Sequence, residues 1–399
     1  MVALDLDHFK NVNDALGPAA GDQVLAAFGR RLVHSVRPGD LVARLEGATF
    51  AVLMVGIAPR DFGSTVRRLL AAVTRRYGVA GHEAAVKVTA GVASGSRLQD
   101  PAEMLRRAEG AMHYAKRISR GSFQVLDEDL DLAFLRRAKL STRLLDAAER
   151  GELRLYFQPI VVAASGQIVG VEALVRWEHP ELGLLSPDQF IPLAEENGSI
   201  STIDRWVLRE ACATLKHWTE VEPAASHLTV SVNLSMAELQ YRNLIKDVKE
   251  VLTHSGLAPE RLHLEVTESI FCADPESTSR TLAQLRGLGV WLVMDDFGTG
   301  NSSLTTLQRF PFQVIKIDRS FVSGIGIRSD DETIVTTTLA LARGLGLSVV
   351  GEGVETPEQA EFLTRGGCEQ LQGYLFARPA PATIIQPLLA VGCLRVRPT

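Results

Sequence analysis

The second half of the chain contains seven short apolar runs, and each carries a polar residue able to hold a metal or a phosphate. In chain order these residues are Glu172, Asn233, Glu265, the pair Asp295 and Asp296, Lys316, Glu352 and Gln372. A buried strand tolerates such a residue only where its end meets solvent, a cation or a ligand. Helix-like stretches separate the runs, and this alternation predicts a (β/α) barrel with its site at the carboxyl ends of the strands.

The predicted fold class is α/β along the whole chain, with three segments. Residues 1–126 alternate strands such as VALDLD with helices such as DQVLAAFGRRLVHSV, which predicts an α/β layer domain. Residues 127–151 carry a charged amphipathic pattern typical of a linker helix between domains. Simple packing of that helix on one neighbour is an equally open interpretation. Residues 152–390 cycle through strand and helix and make up the predicted barrel.

Composition excludes some classes of function. With 399 residues, 46% hydrophobic and 22% charged, the chain is typical of a globular protein of two or three domains. A net charge of −5 gives no reason to expect a nucleic-acid polymer as a partner. No apolar run reaches the roughly 18 residues of a membrane span. We therefore expect a cytoplasmic protein, with membrane attachment through an upstream segment left open.

The polar residues of the barrel form an oxygen-only ligand set, which suits Mg²⁺ or Mn²⁺ better than zinc. Adjacent Asp295 and Asp296 would repel each other without cations, and one aspartate bridging two metals is the simplest relief. Two such metals clamp the attacking and leaving oxygens of a phosphoryl displacement. Lys316 would add a fixed positive charge for the developing phosphorane, and Glu352 could orient or activate a water.

The motifs EALVRWEHP, VNLS, LEVTE, DDFGTGNSSL, IKIDRSFV, GEGVET and QGYLFARP occur in this order. With them, residues 152–382 resemble the EAL domain, the cyclic di-GMP phosphodiesterase of bacterial signalling. The resemblance implies a TIM-like barrel that holds two divalent ions, Mg²⁺ or Mn²⁺. The implied metal ligands are Glu172, Asn233, Glu265, Asp295 and Asp296. Catalytic positions match Lys316, Glu352, Gln372 and Glu268, the last as the anchor of the DDFGTG loop. Substrate contacts match Gln158, Arg176, Leu174 and Glu355, with Arg176 on a phosphate.

The segments LDLDHFKNVND and RPGDLVARLEGATFAVLM resemble a GGDEF domain, the diguanylate cyclase, but its signature is altered. EGATF at residues 46–50 stands where Gly-Gly-Asp-Glu-Phe is expected. Ala48 lacks the acid that would hold a metal opposite Asp5, and Glu46 adds bulk and negative charge near the triphosphate. A degenerate domain without cyclase activity is therefore predicted. The family also has a helix before the strand of Asp5, so we expect the domain to be truncated at its start.

Other positions of that resemblance are kept. Asn13 and Asp22 match the guanine-binding pair, and Lys10 and Lys116 match positions near the phosphates, which together predict a GTP-binding remnant. The segment RPGD, residues 37–40, matches the family's inhibitory site through Arg37 and Asp40. The alternative is that RPGD only makes a turn before a strand.

The function predicted from these motifs is hydrolysis of cyclic di-GMP to linear pGpG, with the first domain in a regulatory role. A receptor that binds the dinucleotide without hydrolysis and acts through a partner is the alternative. Degradation of another cyclic dinucleotide is a third possibility. A homodimer and a sensor domain upstream of this chain are also expected.

Overall fold

The computed structural model describes residues 1–57, 61–79, 82–95, 100–126, 137, 139–267, 274–298 and 309–394. They divide into two compact units, Met1–Lys139 and Leu140–Thr399. Residues 127–136 and 138 of the predicted linker helix lie outside the described residues. Residues 139–144 are helical and 145–151 form turns, so the helix ends earlier than predicted. Leu140, Leu144 and Ala147 are buried in the main core of the second unit.

The first unit is an α/β layer built on a five-stranded sheet with the order β2-β3-β1-β6-β7. Its strands are β1 (Val2–Leu6), β2 (Leu41–Arg44), β3 (Thr49–Leu53), β4 (Arg76–Val79), β5 (His82–Ala85), β6 (Val88–Ala93) and β7 (Phe123–Leu126). Its helices are α1 (Phe9–Leu16), α2 (Pro18–Ser35), α3 (Phe62–Val73) and α4 (Pro101–Ile118). Strand β1 is antiparallel to both neighbours, and β4 pairs with β5 in a separate hairpin.

Helix α4 shows how local sequence sets this packing. The Asp100 side chain caps its first turn by accepting a hydrogen bond from the backbone N–H of Ala102. Small residues on its buried stripe, including Ala108 and Ala111, let the helix approach β6 closely. A Cβ at Gly91 of β6 would lie only 2.1 Å from the Ala108 carbonyl oxygen, so this position needs glycine.

The second unit contains a closed barrel of eight strands, and the predicted fold class is confirmed. The barrel strands are β8 (Leu153–Val162), β9 (Ile168–His179), β11 (Thr229–Asn233), β12 (Leu262–Thr267), β13 (Trp291–Phe297), β14 (Val314–Ile317), β15 (Ser348–Gly351) and β16 (Gln370–Leu371). Two short strands, β10 (Gly183–Leu185) and β17 (Ala380–Pro381), pair with the outside edges of β9 and β8.

One strand breaks the parallel order of a regular (β/α) barrel. Strand β8 is antiparallel to both β9 and β16, whereas β9 and β11 to β16 run parallel. Only residues 163–167 connect β8 to β9. This connection is too short for a crossover helix, so the two strands form a hairpin.

Helices cover the outside of the barrel. They are α5 (Pro187–Asn197), α6 (Ile200–Val221), α7 (Met236–Leu239), α8 (Leu244–Ser255), α9 (Pro275–Gly287), α10 (Arg319–Val322), α11 (Ser329–Leu345), α12 (Pro357–Gly366) and α13 (Ala382–Val391). Phe157 of β8 packs edge-on against Trp218 of α6, with 4.9 Å between ring centroids. In the described parts of the chain, no helix is both long and apolar enough to cross a membrane.

Candidate active site

The barrel brings the predicted polar residues to one end of its strands. Glu172 lies within β9, Asn233 ends β11 and Glu265 lies within β12, while Gln372 directly follows β16. Asn233 and Glu265 are register partners on adjacent parallel strands. The parallel direction of these strands places all of their carboxyl ends at the same edge, so the side chains converge.

A buried ammonium group lies at the centre of this cluster. Lys316 Nζ is 2.8 Å from Glu265 Oε2, 2.5 Å from Glu352 Oε1, 3.3 Å from Glu172 Oε2 and 3.5 Å from Asp295 Oδ1. The lysine side chain is 1% exposed. A charge this deeply buried is tolerated only with close partners of opposite sign. Lys316 is therefore a fixed structural and electrostatic part of the site.

Amide side chains hold the Glu172 carboxylate in place. Asn233 Nδ2 donates to Glu172 Oε1 at 2.9 Å, and Gln372 Nε2 donates to Glu172 Oε2 at 2.7 Å. The same Gln372 nitrogen lies 3.0 Å from Gln158 Oε1, and Gln158 Nε2 donates to the Ala377 carbonyl. These bonds link β8, β9, β11 and the segment after β16 across the mouth of the barrel.

The aspartate pair sits where the end of β13 leaves regular strand geometry. Asp296 has a φ of 54°, in the left-handed region that non-glycine residues rarely adopt. Its backbone N–H donates to Asp295 Oδ1 at 3.0 Å. This turn lets neighbouring side chains face one cleft, and single oxygens of Asp295, Asp296 and Glu352 lie within 4.8 Å of one another. Such a group can hold a metal ion.

Burial and crowding shift the protonation of the cluster. Burial raises the pKa of Glu265 to about 8, and Lys316 only partly opposes it. Burial likewise raises the pKa of Asp295, and raises that of Glu352 well above its ordinary value. Burial and the Asp295 charge raise the pKa of Asp296 to about 6. Glu172 differs, because Lys316, Gln372 and Asn233 outweigh burial and hold its pKa low.

The charge balance of this site fits divalent cations. Five carboxylates, those of Glu172, Glu265, Asp295, Asp296 and Glu352, share one ammonium group. If all were ionised, four net negative charges would remain, and two divalent ions would balance them. Among the described residues, the buried Glu265 Oε1 has no hydrogen-bond partner, so it is open to a further ligand. The donor set contains only oxygen, which suits hard ions.

The predicted substrate contacts surround this cluster at different depths. The Arg176 guanidinium is half-buried and lies 5.3 Å from the ring centroid of Tyr156. Glu178, two residues after Arg176 on the same strand, forms an ion pair with Arg154, with 2.6 Å between Glu178 Oε2 and Arg154 Nη2. Leu174 is half-buried and Glu355 is exposed at the start of the segment before α12.

Two further features of the site had no clear signal in the sequence. Asp318, directly after β14, contributes to the raised pKa of Asp296. Its sequence position predicts only an ordinary helix cap, and its side chain does accept a hydrogen bond from the Ser320 N–H. An exposed tyrosine, Tyr374, lies on the rim with Arg378 against its ring. Glu268 lies outside the described residues, and its anchoring role stays a prediction.

In the first unit, a lysine lies at the carboxylate of Asp5. Lys116 Nζ is 2.7 Å from Asp5 Oδ1, and Thr49 Oγ1 donates to Asp5 Oδ2 at 3.0 Å. Ala48 and the exposed Glu46 belong to the turn between β2 and β3. Ala48 has no carboxylate, and in the described contacts the Glu46 carboxylate does not reach Asp5 or Lys116. The ammonium of Lys116 thus balances the charge of Asp5.

The other predicted residues of this unit lie on α1, α2 and a tight turn. Asn13 Oδ1 is buried and has no hydrogen-bond partner among the described residues. It lies beside Gly21, next to the exposed Asp22. Lys10 is exposed on α1. The Arg37 N–H donates to Asp40 Oδ2 at 3.0 Å, and the Asp40 N–H donates to the Arg37 carbonyl, so RPGD forms a closed turn.

Comparison with known proteins matches residues 141–379 to the EAL domain and residues 1–122 to the family described as "Diguanylate cyclase, GGDEF domain". Two proteins of Pseudomonas aeruginosa are similar over nearly the whole chain. The bifunctional diguanylate cyclase/cyclic di-GMP phosphodiesterase MucR is 40% identical over 95% of this chain and 55% of its own length. The cyclic di-GMP phosphodiesterase NbdA is 38% identical over 97% of this chain and 49% of its own length.

The chain therefore spans about half the length of these curated relatives. Among solved structures, one described as the PaMucR phosphodiesterase in a c-di-GMP complex has a TM-score of 0.60 and 45% identity. The similarity covers 62% of this chain and 99% of that one.

Proposed function

The chain belongs to the EAL domain family, with a GGDEF domain ahead of its barrel, and on this basis we propose that residues 152–390 hydrolyse cyclic di-GMP to linear pGpG. The observation that carries the proposal is the cluster of five carboxylates around Lys316 at one end of the barrel. The names of similar proteins, cyclic di-GMP phosphodiesterases, support the choice of substrate.

We further propose that two ions, Mg²⁺ or Mn²⁺, bind at this cluster. Glu172, Asn233, Glu265, Asp295 and Asp296 would hold them through oxygen atoms. When bound, the ions would supply the positive charge that the scissile phosphate and the attacking water need. The unpartnered Glu265 Oε1 and the four unbalanced negative charges support this assignment.

The remaining residues have roles in positioning and proton transfer. The Glu352 carboxylate, with 16% of its side chain exposed, accepts the proton of the attacking water. Water adds to phosphorus as the bond to the 3′ oxygen breaks, and the proton taken up by Glu352 passes to that oxygen, which leaves a 5′ phosphate and a free 3′ hydroxyl. The Lys316 ammonium stabilises the charge that develops on the phosphate oxygens. Arg176 holds a phosphate, Gln372 fixes the Glu172 carboxylate, and Gln158, Leu174 and Glu355 line the substrate path.

The proposal is tested by incubating the purified chain with cyclic di-GMP and Mg²⁺ or Mn²⁺, and separating the products by chromatography. Linear pGpG should appear with either ion and should be absent in excess EDTA. Ca²⁺ should inhibit, because its longer and looser coordination misplaces the water. Binding of cyclic di-GMP without any product would instead favour the non-hydrolysing receptor. Undiminished turnover in EDTA would remove the metal mechanism.

For the first unit, we propose a degenerate GGDEF domain that makes no cyclic di-GMP. The Asp5–Lys116 ion pair supports this, because a lysine balances the carboxylate that a cyclase would use for metal. The buried and unpartnered Asn13 Oδ1 beside Asp22 supports a retained guanine site that binds GTP weakly. Incubation with GTP and Mg²⁺ should give no cyclic di-GMP.

Assembly and regulation remain predictions. We propose a homodimer, which sedimentation velocity of the purified chain tests directly. We also propose that a sensor domain acts upstream of this chain in the whole protein. The described contacts give the closed turn of Arg37 and Asp40 a structural role. Weaker binding of cyclic di-GMP to Asp40→Ala than to the wild type would show that the turn also binds the dinucleotide.

A further inference from the structure

A largely buried carboxylate joins residues 140–151, here called the entry segment, to the end of β9. Two nitrogens of Arg143 in the entry segment donate to Glu152: Nη2 lies 2.5 Å from Oε1, and Nε lies 3.1 Å from both carboxylate oxygens. From β9, Trp177 Nε1 donates to Glu152 Oε2 at 3.0 Å. The Glu152 side chain is 11% exposed. Both of its oxygens are therefore occupied by donors from two different elements.

Glu152 is ionised, and its backbone is held along with its side chain. Hydrogen bonds from Arg143 lower the pKa of Glu152, burial opposes them, and the bond from Trp177 adds to the lowering. The carboxylate is therefore charged at neutral pH, which strengthens its bonds to both donors. The main chain follows the same path, because the Glu178 N–H donates to the Glu152 carbonyl at 2.8 Å. The entry segment is thus fixed to the end of β9 through side chains and backbone.

This end of β9 carries the arginine that is proposed to hold a phosphate. Arg176 directly precedes Trp177, and the two side chains leave the strand on opposite faces. Trp177 lies in the buried core, whereas Arg176 is on the face that it shares with Glu172. The described contacts of the Arg176 guanidinium are the Val175 carbonyl at 2.8 Å and the ring of Tyr156, 5.3 Å away. Neither is a carboxylate, so the backbone of β9 largely sets where this guanidinium lies.

We propose that Glu152 is a positioning residue for substrate binding: it fixes Trp177 and, through the backbone of β9, sets Arg176 against a phosphate of the dinucleotide. The proposal rests on the proposed function of the barrel and adds to it a residue that touches neither metal nor substrate. Because Arg176 acts in binding, loss of Glu152 should weaken the affinity for the dinucleotide more than it slows the chemical step.

The first test is steady-state kinetics with cyclic di-GMP and Mn²⁺. Glu152→Gln leaves one acceptor oxygen in place of two, and the new NH₂ group must face Arg143 or Trp177, which are both donors. We expect KM to rise about 10-fold, in the range seen when a residue that orients a binding group is lost, and kcat to change by less than about threefold. An unchanged KM would overturn the proposal.

Three further variants accompany this one. Arg143→Ala changes a side chain that is 31% exposed, so the fold should tolerate it even if Glu152→Gln does not fold. Its KM should also rise, and a wild-type KM would overturn the proposal. Arg143→Lys keeps the charge and should lose less affinity than Arg143→Ala. Glu178→Gln is the control, because Glu178 lies beside Trp177 but its side chain pairs with Arg154. The KM of this control should equal that of the wild type.

The second test separates positioning from a general loosening of the fold. Glu152→Gln is combined with Arg176→Ala, and affinity for cyclic di-GMP is measured by titration calorimetry in Ca²⁺, below the melting temperature of every variant. If Glu152 acts through Arg176, Glu152→Gln should change the Kd by less than about twofold in the Arg176→Ala background, because the group that it positions is gone. The same factor of about 10-fold in both backgrounds would show independent effects and overturn the proposal.

The titration also separates this proposal from the proposed function, because it needs no turnover. A wild type that binds cyclic di-GMP without hydrolysing it, together with weaker binding by Glu152→Gln, would reject the proposed hydrolysis and keep the positioning role. Hydrolysis by the wild type, together with equal affinity in the wild type and Glu152→Gln, would reject the positioning role and keep the proposed function.

Discussion

Lys316 Nζ lies 2.8 Å from Glu265 Oε2, and both side chains are 1% exposed. This contact has no access to bulk water, so the ammonium group is tolerable only because several carboxyl groups surround it. Burial alone would lower the pKa of Lys316, but Asp295, Glu172, Glu265 and Glu352 together raise it well above its ordinary value. The lysine is therefore charged near neutral pH, and it offsets part of the acidic cluster.

Replacing that ammonium should separate its catalytic role from its structural role. We expect Lys316→Met to lower kcat by about 100- to 1,000-fold, the usual cost of losing one preorganised charge, while substrate affinity in Ca²⁺ changes little. In EDTA the melting temperature should fall, because the buried carboxylates lose their partner, and Mn²⁺ should restore most of it. Calorimetry with and without Mn²⁺ and a kinetic assay measure both effects. Loss of affinity alone would contradict the assigned role.

Glu172 should be indispensable for hydrolysis, whereas the surface residue Glu178 on the same strand should not be. Glu172→Gln should lower the rate by more than about 100-fold, since even partners outside the coordination sphere cost about 10- to 100-fold when lost. Glu178→Gln on the same strand is the matched control, because Glu178 is exposed and pairs with Arg154. Its rate should equal that of the wild type. Equal losses in the two variants would point to a general effect on β9.

The pH dependence of stability should contain a contribution from Asp204 of α6 that does not involve metal. Burial raises the pKa of Asp204 to about 7, with Glu238 and Glu195 adding to it, while the ordinary value is 3.8. Between these values the folded protein holds a proton that the unfolded chain releases, so this group lowers the stability as the pH rises. The melting temperature of Asp204→Asn minus that of the wild type should therefore increase as the pH is raised from 4 to 7. Glu220→Gln, exposed on the same helix, should show no such trend.

Gly373 should tolerate no side chain. Gly373→Ala places a Cβ 2.1 Å from the Val354 oxygen, so the backbone must move, at a cost of about 1–3 kcal/mol in the free energy of unfolding. The displaced turn should also raise KM. Gly344→Ala is the control, because nothing lies within 4 Å of its Cβ position in α11. Alanine there should raise the free energy of unfolding by at most about 0.5–1 kcal/mol, because Gly344 lies in the last turn of the helix. Thermal unfolding of both variants measures this difference, and a Gly373→Ala variant as stable as the wild type would contradict the prediction.

If GTP binds to the first unit and changes the rate of hydrolysis in the barrel, that change should depend on Asp22. Millimolar GTP should change the rate of cyclic di-GMP hydrolysis in the wild type, provided that GTP binds the more active and less active arrangements with different affinity. Asp22→Ala should abolish the change. Asp14→Ala, exposed on α1, serves as the control and should keep it. A GTP effect that persists in Asp22→Ala would place its origin elsewhere.

Much of the barrel could be predicted because its strands are short apolar runs, and each polar exception marks the edge where a site forms. The antiparallel direction of β8 could not, since it depends on the five-residue connection to β9 and not on any residue pattern within the strand. Asp318 has the sequence signature of a helix cap, and only the structure shows its closeness to Asp296. Tyr374 has no periodic pattern to distinguish it from any surface tyrosine.

The barrel is closed by pairing between its first strand, β8, and its last strand, β16. Val161 and Val162 of β8 pair with Leu371 and Gln370 of β16, about two hundred residues later. During synthesis at about 5–20 residues per second, β8 would leave the ribosome on the order of 10–40 s before its partner exists. Over that interval its edge is open to wrong pairing, and no substrate site can form because Gln372 has not yet been made. The barrel is therefore a domain whose maturation waits for its last strand, and one edge of β8 stays unpaired until that strand has been made.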